Sequence, residues 1–284
     1  MNGAPIRLIV TADDFGLSKK VNEGILEAFH KGVVRNTTLM VNYSDVEASV
    51  ESLERIKDLD VGIHLNLTSG PPVLSPDLVP SLVDRHGEFL GLGPFLLRVA
   101  VGRIRWSEVR KEWEAQIERG IKMGCHFSSI TSHQHIHMLP PLASLSALLA
   151  QRYEIPAVRL SRYHLSNTFW PPCVKSLAIN PCAAVARRLL NRGRVCSNDY
   201  VIEIPPAPVE MALERFRRNL QRLSAGLYEL VCHPGYVDST LKERDPNIIP
   251  RVFELEVVTD PQVPHILAEQ SVELTTYKAL AERQ

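Results

Sequence analysis

Cysteine is scarce in this chain, charge of either sign is in no excess, and no hydrophobic run is long. Five cysteines occur in 284 residues, Cys125, Cys173, Cys182, Cys196 and Cys232, and none stands in a C-x-x-C pair. An odd, scattered set excludes a disulfide scaffold and gives no zinc knuckle or redox motif, so reduced thiols in a cytoplasm are expected. Lys and Arg total 32 and Asp and Glu total 32, leaving a formal net charge of zero. A dedicated nucleic-acid binder carries a basic excess because phosphate neutralisation drives its affinity, so no nucleic-acid partner is expected. The cluster of Arg215, Arg217 and Arg218 reads as a solvated helix face. The most apolar stretch, Phe89–Gly102, is interrupted by Gly91, Gly93, Pro94 and Arg98, and is too short to span a bilayer. The opening MNGAPIRLIVTADD meets two acids before an apolar core of signal-peptide length can form. No repeat or low-complexity segment is present.

The composition itself is that of a globular chain, 45% hydrophobic and 23% charged. Apolar β-type runs alternate with stretches of helical period. Leu8–Val10 is followed by Val21, Ile25 and Ala28/Phe29 at helical spacing, with Ser18 before them and Gly32 as the stop. Strands are expected at Val33–Val41, Val61–Thr68, Phe127–Thr131, Ala157–Leu160, Val201–Ile204, Tyr228–Cys232 and Val272–Tyr277. Helices are expected at Val46–Ile56, from Ser107 as N-cap to Gly124, from Pro140, near Ala183–Asn191 and at Val209–Leu223. Repeated βα units imply a parallel sheet covered by helices, open or closed into a barrel, of about six to eight strands. One α/β domain spanning 1–284 fits the length. Two segments near 69–105 and 163–198 lack a clean period and are expected to act as lids.

Chemistry-bearing residues gather where these strands end. Asp13 and Asp14 follow the first strand at the edge where active sites of parallel folds collect. Neighbouring acids on a regular strand face opposite ways, so one could bind a metal while the other acts as a base. His64 and Asn66 share the polar face of the third strand. His133, His135 and His137 fall at i, i+2 and i+4, which in an extended segment places three imidazoles on one side, a metal-binding pattern. His233 is held at a strand end by the Pro234–Gly235 turn. Arg159 sits near another strand end, where it could orient a carboxylate. Trp170 is a candidate platform for a sugar ring.

The motifs T-A-D13-D14-F-G-L-S, G-I-H64-L-N-L-T, S-H133-Q-H135-I-H137-M and C-H233-P-G together resemble the YdjC-like carbohydrate deacetylases, a family that includes chitooligosaccharide deacetylase. The motifs occur in the family's order across residues 7–237. The resemblance implies a distorted (β/α) barrel related to the polysaccharide deacetylases. It also implies hydrolysis of an N-acetyl group from a small N-acetylated carbohydrate with one divalent metal. Position by position it implies Asp14, His64 and His133 as metal ligands, Asp13 as catalytic base and His233 as catalytic acid. His135 and His137 then lie behind the ligands or face substrate, and Arg159 matches an arginine that orients the base; Trp170 stands apart from the resemblance, as the candidate sugar platform. Magnesium follows from the family; zinc or another transition metal suits the ligand types. A homodimer stays open. The competing readings are another metal hydrolase, of amidohydrolase or phosphoesterase type, and a non-catalytic carbohydrate-binding relative.

Overall fold

A computed structural model describes residues 5–163, 174–204, 207–245 and 250–282. Eight strands are present among them: β1 Ile6–Phe15, β2 Asn36–Leu39, β3 Asp60–Leu65, β4 Ser129–Ser132, β5 Ala157–Val158, β6 Tyr200–Glu203, β7 Gly226–Cys232 and β8 Val272–Thr275. Every pairing between them is parallel, in the order β5-β4-β3-β2-β1-β7-β6. β8 pairs with the first half of β1, Ile6 to Ile9, while β2 takes over from Thr11. The two edges of the curled sheet meet at a parallel bridge between Tyr163 and Val201. The expected barrel of parallel strands is what forms.

Period-two alternation decides what fills it. Leu8, Val10 and Ala12 of β1 join Tyr228, Leu230 and Cys232 of β7 in the large core between sheet and helices. The opposite face of the same strands carries Ile9, Thr11 and Asp13, and Leu227 and Glu229. Ile9, Ala157, Leu227, Tyr277 and Leu280 form a separate small apolar cluster. Beyond it the barrel interior turns polar, and Thr11, Asp13, Glu229 and Arg159 are all buried. Side chains of one sheet face can reach those of the neighbouring strands, so this column delivers charge to the strand ends.

The helices form largely where apolar spacing places them. Ser18 caps Lys19–Lys31, accepting the Val21 N–H, and Val21, Gly24, Ile25 and Ala28 are its buried side. Gly32 ends that helix in an extended conformation, not a left-handed one. A side chain there would meet the Val258 carbonyl oxygen at 2.3 Å, so close approach is what calls for glycine. The helix expected from Ser107 spans Trp106–Lys122, with Arg105 at its N-cap and Gly124 beyond its end at φ +88°. Val209–Leu220 and Pro140–Arg152 form near their expected places. The irregular 69–105 stretch contains a 3₁₀ turn, Pro76–Leu78, and a helix, Leu92–Ala100. Buried carboxylates of the next helix hold it: Glu112 accepts the N–H groups of Val73 and Leu74, and Glu108 that of Ser81. In the 163–198 stretch a helix spans Val174–Arg192, longer than the spacing indicates and running through Pro181. Short helices Ser239–Arg244, Pro250–Thr259 and Gln262–Glu269 were not expected. Among the described residues no helix is long and apolar enough to cross a membrane.

Candidate active site

Both acids of the Asp13–Asp14 pair line one cavity, because β1 is not regular at its end. Its register with β2 shifts between Ala12 and Phe15, and Asp14 takes φ +71°. A bulge with a left-handed residue breaks the strict alternation of side chains. Gly16 follows at φ +94°, where a side chain would lie 2.6 Å from the Met40 carbonyl oxygen. The turn thus swings Asp14 beside Asp13 instead of behind it.

The two carboxylates then meet different partners. Asp14 Oδ1 lies 3.3 Å from His64 Nε2 and 3.2 Å from His133 Nδ1. Its Oδ2 accepts from Arg251 at 2.7 Å. One ligand atom from each of Asp14, His64 and His133 falls within 4.8 Å of the others, a spacing that one metal ion can bridge. Burial opposes ionisation of Asp14, but Arg251 and the two imidazoles outweigh it and hold the carboxyl well below its usual range. Asp13 has another environment. Arg159 grips it with two bonds, 2.6 Å to Oδ2 and 2.9 Å to Oδ1, and Thr38 donates to Oδ1 at 2.8 Å. Burial is again outweighed, here by Arg159 first, and Asp13 stays ionised across the working pH range.

Two hydroxyls flank the His64 ring: Nδ1 lies 3.0 Å from Thr38 Oγ1, which donates to Asp13, and 2.6 Å from Thr131 Oγ1. Donation from Nδ1 would leave Nε2 with the lone pair that a metal ligand needs. Orientation of a ligating imidazole through its other nitrogen is the usual support of such sites. The donor set of one carboxylate and two imidazoles therefore fits a divalent transition ion.

The three-histidine run is not extended. Gln134 and His135 both have φ +55°, and His133–Met138 folds into a tight 3₁₀-type turn. The three rings part company. His133 alone faces Asp14. His135 Nδ1 lies 3.0 Å from Ser161 Oγ at the cavity wall. His137 is buried, with Nε2 3.1 Å from the Arg159 carbonyl and Nδ1 2.6 Å from Ser132 Oγ. Burial, then the Arg159 charge, lowers the His137 pKa to about 3, so the ring is neutral and supports the backbone that carries Arg159.

His233 reaches the cavity from the end of β7. The turn after it packs against the first helix so closely that a side chain on Gly24 would meet Gly235 Cα at 2.5 Å. Its ring keeps 37% exposure, and Nδ1 lies 3.6 Å from Glu254 Oε2. Burial lowers its pKa, but Glu254, then Asp14 and Asp13, raise it to about 9. Trp170 lies outside the described residues.

Several participants were not expected. Glu229 receives Nε and Nη2 of Arg159 at 2.9 and 2.8 Å, Thr11 at 2.6 Å and the Tyr277 hydroxyl at 2.6 Å. One signal existed in the sequence: an acid in a strand whose neighbours on both faces are apolar. Arg251, held also by Asp245 at 2.8 Å, and Glu254 come from the Pro250–Thr259 helix, which carries no such mark. The cavity above these groups has a volume of about 670 Å³, and Leu92, Leu96, Ile179 and Ile204 are among its walls.

The sequence profile of the family described as YdjC-like protein matches residues 7–269. The chain belongs to the YdjC-like family. It is 34% identical over 280 residues to a carbohydrate deacetylase of Geobacillus stearothermophilus, covering 96% of this chain and 98% of that one. It is 33% identical over 276 residues to a chitooligosaccharide deacetylase of Serratia marcescens, covering 96% and 98%. A crystal structure from Enterococcus faecalis, carrying the provisional description of a cellobiose-phosphate cleavage protein, superposes with a TM-score of 0.82. The two are 28% identical, and the match covers 98% of this chain and 99% of that one.

Proposed function

We propose that this chain is a metal-dependent carbohydrate deacetylase that hydrolyses the N-acetyl group of a small N-acetylated sugar or glycoconjugate. The carrying observation is the convergence of Asp14, His64 and His133 on one point of a cavity that Asp13 and His233 also line. Membership of a family whose curated relatives are named carbohydrate deacetylases supports the substrate class. The cavity volume falls within the range of small-molecule sites.

Asp14, His64 and His133 would hold one divalent ion, zinc or another transition metal by ligand type and magnesium by family likeness. When bound, the ion supplies Lewis acidity toward water and the acetyl carbonyl. The remaining steps belong to the chain. Asp13 stays a carboxylate and accepts the proton of the attacking water, held in place by Arg159. Glu229 and Tyr277 keep Arg159 from swinging away. His233, whose pKa Glu254 raises against the effect of burial, donates to the departing nitrogen so that it leaves as a neutral amine. His135, at the cavity wall, faces substrate; His137 does not. A second reading follows from the three hydrogen bonds on Asp13: a carboxylate so well satisfied is a weak base. In that reading Asp13 only positions Arg159, and another group takes the proton.

Acetate release from N-acetylglucosamine oligomers, in matched reactions with the protein and its Asp14→Ala variant, tests the assignment. Release that depends on Asp14 is expected. Equal release by both would remove the metal site from the reaction. We place the enzyme in the cytoplasm, consistent with an odd, scattered set of cysteines that holds no C-x-x-C pair.

A further inference from the structure

The Leu92–Ala100 helix breaks the usual rule for a surface helix, which turns polar residues outward. Phe95 is buried, and the outward side carries Gly93, Leu97 and Ala100, all exposed. Val101 continues that side one turn beyond Leu97. Leu97 is 65% exposed, Val101 57%, and Trp106, opening the next helix, 40%. Isolated exposed apolar residues are ordinary, but here Leu96, Leu97, Ala100 and Val101 are all exposed close together in the chain. It also adjoins the catalytic cavity, because Leu92 and Leu96 of the same helix form part of the cavity wall.

Charge distinguishes the covering partner. Between Gly91 and Lys111 stand Arg98, Arg103, Arg105, Arg110 and Lys111 against one acid, Glu108. Arg98 donates to the Ser81 carbonyl, Arg105 pairs with Glu108 and Arg110 with Glu114. Glu108 is buried and also accepts the Ser81 N–H, so the Arg105 head group stays at the surface with 70% side-chain exposure. Arg103 and Lys111 are exposed. Outward leucine and valine, a half-exposed tryptophan and a basic margin are the features of a segment that lies in a membrane interface. There the apolar side enters the headgroup boundary and the cations meet anionic lipid. A second copy of the same face would bring these cations against one another, which disfavours self-association through it.

We propose that the Leu92–Lys111 face docks this protein on an anionic lipid surface, with the mouth of the catalytic cavity beside that surface. The binding stands apart from the reaction assigned to the cavity, since Leu97, Val101, Arg103 and Lys111 do not line it.

Flotation with vesicles of equal parts phosphatidylglycerol and phosphatidylcholine at low salt tests the proposal, with pure phosphatidylcholine vesicles in parallel. The full chain co-floats with the anionic vesicles and at least tenfold less with the neutral ones. Raising the salt releases it. The Leu97→Glu/Val101→Glu variant loses at least about tenfold of the bound fraction, because two apolar side chains no longer enter the interface. The Arg103→Glu/Lys111→Glu variant, which leaves the apolar residues untouched, also loses binding to anionic vesicles. Acetate release from a soluble substrate stays unchanged in both, which separates failure of docking from failure of the catalytic reading. Absence of flotation by the unmodified chain would overturn the proposal, as would flotation that neither variant weakens. Light scattering that finds a dimer which Leu97→Glu/Val101→Glu converts to monomers would also overturn it, and would assign the face to a second copy.

Discussion

Replacing Asp13 by asparagine separates the two roles open to this residue. The variant keeps an oxygen for Thr38 and preserves size, but turns an amide N–H₂ toward the Arg159 guanidinium. Donors then face each other where the carboxylate accepts two bonds, at 2.6 and 2.9 Å. Losing one partner of a buried ion pair costs about 3–5 kcal/mol. Glu229 still neutralises Arg159 through two further bonds, which places the cost near the lower end, about 3 kcal/mol. A chain of this size should show that as a Tm lower by roughly 5–10 °C, with the native state still dominant at 25 °C. The atoms proposed to hold a metal belong to Asp14, His64 and His133, so metal content should be unchanged. If Asp13 takes the water's proton, kcat falls about 10²–10⁴-fold. The assay is acetate release at saturating substrate, with metal content and circular-dichroism melting measured on the same preparation. Near-normal kcat with metal bound would refute the base assignment and leave Asp13 as the group that positions Arg159.

Glu254→Gln should shift the basic limb of the kcat/KM profile toward lower pH by about one unit or more. The sign follows from Glu254 raising the His233 pKa, so its loss makes the acid give up its proton sooner. An unmoved limb would show that His233 is not the acid. Glu229→Gln should destabilise the protein by about 3–5 kcal/mol in denaturant melts, since it strips a charge from the buried Arg159 cluster. A change below about 1 kcal/mol would mean that Asp13 alone neutralises Arg159. Gly24→Ala should cost about 1–3 kcal/mol and lower kcat with little change in metal content, because the new methyl pushes the Gly235 turn that carries His233. Full activity in that variant would show that the turn tolerates displacement.

The sequence reads well where local pattern decides structure. Alternating apolar residues locate β1, β3 and β7, and the histidines and acids at their ends identify the rim. Asp14, His64 and His133 do converge there, and Arg159 does hold a carboxylate. What escapes is geometry set by backbone irregularity and by distant elements. The i, i+2, i+4 histidine spacing suggests three rings on one side, but two successive residues with positive φ coil the segment and leave one ring facing Asp14. The adjacent acids reach one cavity through a bulge that nothing in the dipeptide announces. Arg251 and Glu254 arrive from a helix more than 200 residues away from Asp14 in the chain, and no local period marks them. Nothing in the spacing of the Trp106–Lys122 helix tells that Glu108 and Glu112 hold the 69–105 stretch, since acids at helical spacing look like a solvated face until their backbone partners are seen.

The most direct test of the central claim is acetate release from N-acetylglucosamine oligomers as a divalent ion is added back to chelator-treated protein. The account predicts activity that is lost on chelation and returns with a stoichiometry of about one ion per chain. His64→Ala and His133→Ala should abolish that return. Undiminished acetate release by the chelated protein, with no ion bound, would contradict it.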